Sequence, residues 1–145
     1  MFDFFKKKKI NNDDEVYVEN VSSICTQNKF QGMHCNVRTT KEKISIEYED
    51  GTMDILYSEV LDCGIITNSE YGIKEAMEKK ILTQEVLQSP GFISGNFYVF
   101  SNNASEFLYI KYIEQGKSKQ TLLISYNKGI DKVFKYIRNQ LKNIK

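Results

Sequence analysis

The chain of 145 residues has no tryptophan, one proline (Pro90), one histidine (His34) and three cysteines (Cys25, Cys35, Cys63). Each scarcity excludes something. An odd cysteine count at irregular spacing argues against a disulfide framework and for a reduced, cytoplasmic protein. The cysteines and the histidine fit no zinc pattern, which begins with a close Cys-x₂₋₄-Cys pair. On an alternating strand His34 and Cys35 point to opposite faces, so they do not chelate one ion, and the plain reading is that the cysteines serve as small apolar residues. No apolar run approaches the roughly 20 residues needed to span a bilayer. The start does not read as a secretory signal, because the lysines follow the aromatic residues and no apolar core comes after them. Phe2 rules out N-myristoylation, and no prenylation box closes the chain. No GxGxxG, P-loop, GxSxG or HExxH motif occurs.

What is present is an ordinary globular composition: 41% hydrophobic and 27% charged residues, with enough length to bury a core without staples. The formal net charge of +1 hides a split. Residues 1–9 carry four lysines against Asp3, and 128–145 carry Lys128, Lys132, Lys135, Arg138, Lys142 and Lys145 against Asp131, so the body between them is acidic. Such a field steers association and does not set the fold.

Residues 1–15 read as a basic, polar tail, and 16–145 as one domain. "MHCNVRTT" (33–40) alternates, with Met33, Cys35 and Val37 on one face and His34, Asn36 and Arg38 on the other. "KISIEYEDGTMDILY" is the clearest signal. Ile44, Ile46 and Tyr48 share one face, Asp50-Gly51 supplies a turn, and Met53, Ile55 and Tyr57 resume the apolar face. "VLDCGIIT" (60–67), "NFYVF" (96–100), "FLYIKYIE" (107–114) and "KQTLLISY" (119–126) read as further strands. Helix formers over 70–88, with Ile73, Met77 and Ile81 at helical spacing, predict a helix ended by "SPG". The terminal segment carries Ile130, Val133, Phe134, Ile137, Leu141 and Ile144 in one stripe, with Asn127 placed to cap it. That stripe needs a surface to cover, and the open end of the sheet supplies one.

Strands, a hairpin at Asp-Gly, more strands, then one closing amphipathic helix: this order resembles the pleckstrin-homology-like fold, closest to the small bacterial YokE-like and GRAM-like domains. The residues carrying the resemblance are "KISIEYEDGTMDILYSEVLDCGI" and "FLYIKYIEQGKSKQTLLISYNKGIDKVFKYIRNQLK", including the "YSEV" step at the end of a strand. It implies an α+β domain: a bent antiparallel sheet or barrel of six or seven strands capped by the C-terminal helix, here with an inserted helix around 70–88. Two departures stand out. Residues 68–106 are a long insertion, and the hairpin tip "EYEDGT" is acidic where lipid-binding members place lysine and arginine. No ligand residue is carried over.

The expected function is a non-catalytic interaction module with a protein partner, without cofactor or metal. The alternative is a peripheral adaptor at the inner membrane face, with Lys6, Lys7, Lys8, Lys9, Lys128, Lys132, Lys135 and Lys142 meeting an anionic surface and Phe2, Phe4 and Phe5 adding burial. Against it stand two plainer readings, in which those phenylalanines pack on the domain itself or on a partner subunit, or the stretch is a mobile tail. A small enzyme is a third class without support. The carboxylates Glu47, Glu49, Asp50 and Asp54 cluster near the hairpin, and Cys63 with His34 would form a nucleophilic pair only if the fold joined them. Nucleic acid is not the expected partner, since the acidic body repels phosphate and only Arg138 stands among the helix lysines.

Overall fold

The computed structural model describes residues 15–25, 34–67, 69–82, 92–93, 98–99 and 106–144. Of the tail expected over 1–15, all but Glu15 lies outside them. Nine strands and two helices appear among the described residues: β1 (Val16–Cys25), β2 (His34–Thr39), β3 (Lys43–Tyr48), β4 (Gly51–Leu56), β5 (Val60–Thr67), α1 (Glu70–Glu78), β6 (Phe92–Ile93), β7 (Tyr98–Val99), β8 (Glu106–Glu114), β9 (Ser118–Ser125) and α2 (Lys128–Ile144). A single 3₁₀ turn, Tyr57–Glu59, links β4 to β5 at the "YSEV" step. Seven strands form one antiparallel sheet in the order β4-β3-β2-β1-β9-β8-β5. The strand expected at 96–100 is not among the seven; Tyr98–Val99 pairs with Phe92–Ile93 in a separate ribbon. The seventh place in the sheet belongs to β1, which the sequence pattern does not reveal.

β1 joins the two halves of the sheet. It pairs with β2 over Val16–Ser22 and with β9 over Ser23–Cys25, with a bulge between Val18 and Val21. Asn20 sits in the bulge at φ 55, and its N–H donates to Asn36 Oδ1 at 3.0 Å. A bulge inserts an unpaired residue and bends the strand, which is how one strand serves two sheet halves. The hairpin after β3 closes on the pair Tyr48–Gly51, so its loop residues are Glu49 and Asp50, one position earlier than the expected Asp50-Gly51. The β8–β9 loop uses Gln115 (φ 50) and Gly116 (φ 72), the double left-handed geometry that fits the twist of a tight hairpin.

The inner face of this sheet holds one core. Val21, Cys35, Val37, Ile44, Ile46, Met53, Ile55, Leu108, Ile110, Tyr112, Leu122 and Ile124 meet Ile130, Val133 and Ile137 of α2. The helix packs on β1, β2 and the 3₁₀ turn. Those three α2 side chains are fully buried, worth on the order of 5–9 kcal/mol together before entropy costs. Phe134 and Leu141 are partly covered, and Ile144 is 54% exposed, so the stripe seals the core along most of the helix and runs out at its last residue. Asn127 does cap α2: its Oδ1 accepts from the N–H of Ile130 at 2.8 Å.

A second, smaller core lies on the outer face. Ile66, Tyr109 and Leu123 of β5, β8 and β9 meet Ile73 and Ala76 of α1, together with Leu82. Ser69 caps α1, accepting from Gly72 N–H at 3.0 Å. The expected helix over 70–88 ends at Glu78, and 83–88 lie outside the described residues. It ends because Lys80 turns left-handed (φ 61), with Lys80 N–H donating to Met77 C=O and Ile81 N–H to Ala76 C=O, at 3.0 and 2.8 Å. This is a Schellman closure with lysine where glycine is usual.

Candidate functional site

α2 presents two faces of opposite character. Opposite the buried stripe, Lys128, Lys132, Lys135 and Lys142 are all exposed. At 100° per residue they fall within an arc of about 80°. Arg138 lies just beyond that arc, also exposed, with its guanidinium 5.5 Å from the centre of the Phe134 ring. Among the described residues only one of these cations has an acidic partner: Lys135 Nζ is 3.0 Å from Asp131 Oδ2, one turn back. Asp131 also accepts from the Tyr126 hydroxyl, and these two bonds hold its carboxyl below the usual carboxylate value. Asp131 is thus committed to the start of the helix, and Lys128, Lys132, Arg138 and Lys142 have no acidic partner among the described residues.

Two grooves flank this face. One, of about 600 Å³, is lined by Lys132, Lys135, Arg138 and Lys142 with Tyr136 and Val16 beside them. The other, of about 290 Å³, runs between β5 and the end of α2, where Leu61, Asp62 and Cys63 face Arg138, Leu141 and Lys142. Of the eight lysines expected at an anionic contact, the four on α2 therefore share one surface. Lys6, Lys7, Lys8 and Lys9 lie outside the described residues, as do Phe2, Phe4 and Phe5. Leu61 and Tyr136, which help shape the grooves, carry no sign of such a role in the sequence. Leu61 is the extra residue of a β-bulge, and a bulge has no mark in a hydropathy pattern.

The other chemical candidates are occupied or apart. His34 is exposed beside Asn20, Asn36 and Glu47, whereas Cys63 lines the groove against α2; the fold does not join them into a nucleophilic pair. Burial pushes the Cys63 thiol up to about 11, with Asp62 adding to the shift and Arg138 opposing it. Two of the hairpin carboxylates are structural partners: Glu47 Oε2 lies 3.2 Å from Arg38 Nε, and Asp54 accepts from Ser45 Oγ at 2.7 Å and Lys43 Nζ at 3.1 Å.

The core encloses a polar layer made of sulfur and hydroxyl groups. Ser23 Oγ and the Tyr48 hydroxyl are 2.8 Å apart, and the Cys35 thiol donates to Ser23 Oγ at 3.4 Å. Tyr112 Oη lies 3.3 Å from Cys25 Sγ and 3.4 Å from Met53 Sδ. Burial raises the Cys35 thiol to about 11 and drives the Tyr48 and Tyr112 phenols well above their ordinary values. These three groups are neutral at physiological pH, as hydrogen-bonded polar groups in a core should be. Among the described residues no group of three or more histidine, cysteine or acidic side chains gathers to hold a metal ion. No described helix is long and apolar enough to cross a membrane.

No family model matches this chain, and no curated protein or solved structure matches it either.

Proposed function

We propose that this is a pleckstrin-homology-like, non-catalytic interaction module that binds an acidic protein partner through the outer face of α2. The fold reading is supported by the strand order: a four-strand meander from β1 to β4, a second group of β5, β8 and β9, and a C-terminal helix packed on the sheet. The functional reading is carried by one observation. The exposed face of α2 holds Lys128, Lys132, Lys135, Arg138 and Lys142, with Lys135 alone ion-paired among the described residues. Cations presented side by side on a rigid helix raise the association rate with an acidic surface and reject basic ones.

The test is the triple variant Lys128→Glu, Lys132→Glu, Lys135→Glu. With circular dichroism unchanged, cross-linking in native lysate should lose a stoichiometric protein partner that the parent chain retains, and the parent's binding should weaken steeply with salt. Equal recovery by the variant would end this reading. A second reading, the peripheral membrane adaptor, rests on the same lysines. It prevails if vesicles containing anionic lipid sediment the parent chain and not the triple variant, while no protein partner is recovered.

A further inference from the structure

β5 is an edge strand. It pairs with β8 on one side, and its other rim has no strand partner among the described residues. Such a rim is a row of open backbone donors and acceptors able to pair with a further strand. The two edges of the sheet differ in what stands beside them. The open rim of β5 faces the last turns of α2 across the 290 Å³ groove. At the end of β4, the other edge, the Leu56 N–H is already taken by Glu59 Oε1 at 3.0 Å.

The walls of the β5 groove are complementary in kind. The register shift between Val60 and Asp62 ejects Leu61 from the strand, and it stands 48% exposed in the groove with partly covered Leu141 opposite. Arg138 and Lys142 supply positive charge from the helix wall, and neither has an ion pair among the described residues. Asp62, the one acid among the described lining residues, has its carboxylate engaged by the Tyr109 hydroxyl at 2.9 Å. The Tyr109 ring also lies against Gly64, where a Cβ would come within 2.8 Å of it, so the outer face of β5 is closed there. A ligand must enter in the plane of the sheet, along the rim. The run Asp62–Ile66 is about 17 Å long at roughly 3.3 Å per residue, room for a five-residue strand. Beyond it the Thr67 C=O accepts from Ser69 N–H.

We propose that this groove takes an extended segment of the partner, added as a further strand beside β5, with an apolar side chain between Leu61 and Leu141 and an acidic one at Arg138 and Lys142. The inference rests on the interaction-module reading and gives it a second contact, which shares Arg138 and Lys142 with the exposed face of α2 and leaves Lys128, Lys132 and Lys135 to the first. Main-chain pairing supplies affinity in such a mode, and alternate side chains supply selectivity.

A phage-displayed library of random peptides about twelve residues long, panned on the full chain, tests it. The selected peptides should alternate apolar and acidic residues and shift the backbone amide signals of 61–66 in a ¹⁵N spectrum. Leu61→Asp, a change at an exposed site, should weaken them by about tenfold or more. Arg138→Glu with Lys142→Glu should reverse the acidic preference. The proposal falls if no peptide is enriched, if the enriched peptides shift other residues, or if they bind Leu61→Asp as well as the parent. It falls equally if the parent chain dimerises with rising concentration and Leu61→Asp abolishes that, since the occupant is then a second copy. Failure here with the lysate partner still lost in the triple lysine variant would remove the groove and leave the module reading standing.

Discussion

The two described helices perform the same physical task on opposite faces of one sheet, and they perform it differently. α2 has 17 residues and closes a core to which both halves of the sheet contribute. α1 has nine residues and covers a patch where three strands meet. Both start on a side-chain cap, Asn127 and Ser69. The difference lies in what each holds together. Removing α2 uncovers residues from strands far apart in sequence, so its packing is coupled to the whole fold. Among the described residues α1 reports on β5, β8, β9 and the segment that follows it. An element with few partners opens locally at lower free energy than one that closes the main core.

The contrast can be broken by truncating one buried isoleucine on each helix. Ile137→Ala should cost about 3–4 kcal/mol in denaturant unfolding and lower the stability of the entire sheet. Ile73→Ala should cost roughly 2 kcal/mol, seen first as faster amide exchange in α1. Equal, global losses would show that the helices are not separate in this sense. Close approach sharpens the comparison: a Cβ at Gly72 would lie 2.2 Å from the Thr67 carbonyl oxygen, and at Gly129 2.9 Å from a methyl of Val18. Backbone cannot yield as a valine can, so Gly72→Ala should cost on the order of 2–3 kcal/mol and Gly129→Ala clearly less, by thermal melts of the two variants.

pH separates the interior from the helix start. In the fold the Tyr48 and Tyr112 phenols sit far above the unfolded value near 10. Their stabilising contribution is complete below that value and is lost as pH rises above it. Cys35, raised to about 11, behaves alike from the thiol range upward. An alkaline titration should therefore melt α2 and the sheet together, with a midpoint that moves upward in Tyr48→Phe. Asp131 has the opposite sign. Its folded value is depressed, so its contribution is present above the unfolded value near 4 and fades as pH falls through the folded one. Asp131→Asn should flatten the acid limb of the stability curve and leave the alkaline melting of the tyrosine core in place. The smallest effect is expected at Lys80, whose left-handed backbone favours glycine. Lys80→Gly should raise the unfolding free energy by roughly 0.5–1 kcal/mol by relieving that backbone, while the Lys111 ammonium keeps its bond to the carbonyl of residue 80, at 2.8 Å.

Most of the sheet can be read from alternation. β2, β3, β4, β5, β8 and β9 lie where the pattern puts them: β2 and β4 alternate because one face is dry, whereas β8 and β9, covered on both faces, show as short apolar runs. β1 is hidden because its bulge changes phase: Val16 and Val18 turn inward, then Val21 and Ser23, so no single period of two runs through "VYVENVSSIC". The end of α1 is hidden because a left-handed lysine looks like any helix-forming lysine. At the candidate site the lysines of α2 are legible from spacing alone. The groove beside β5 is not, for it depends on Leu61 meeting Arg138 and Leu141, residues far apart in the chain that only the folded sheet brings together.

Local choices are written in the chain itself: which stretches alternate, where the terminal helix begins, which of its faces is apolar and which is basic. They follow from side-chain period and capping, which act over a few residues. Three further features belong to the folded molecule alone. β1 serves both halves of the sheet, α1 covers the outer face, and β5 is left as an edge beside α2. Pairing between distant strands has no signature in either strand, because register and neighbour are chosen by the packing of the whole core.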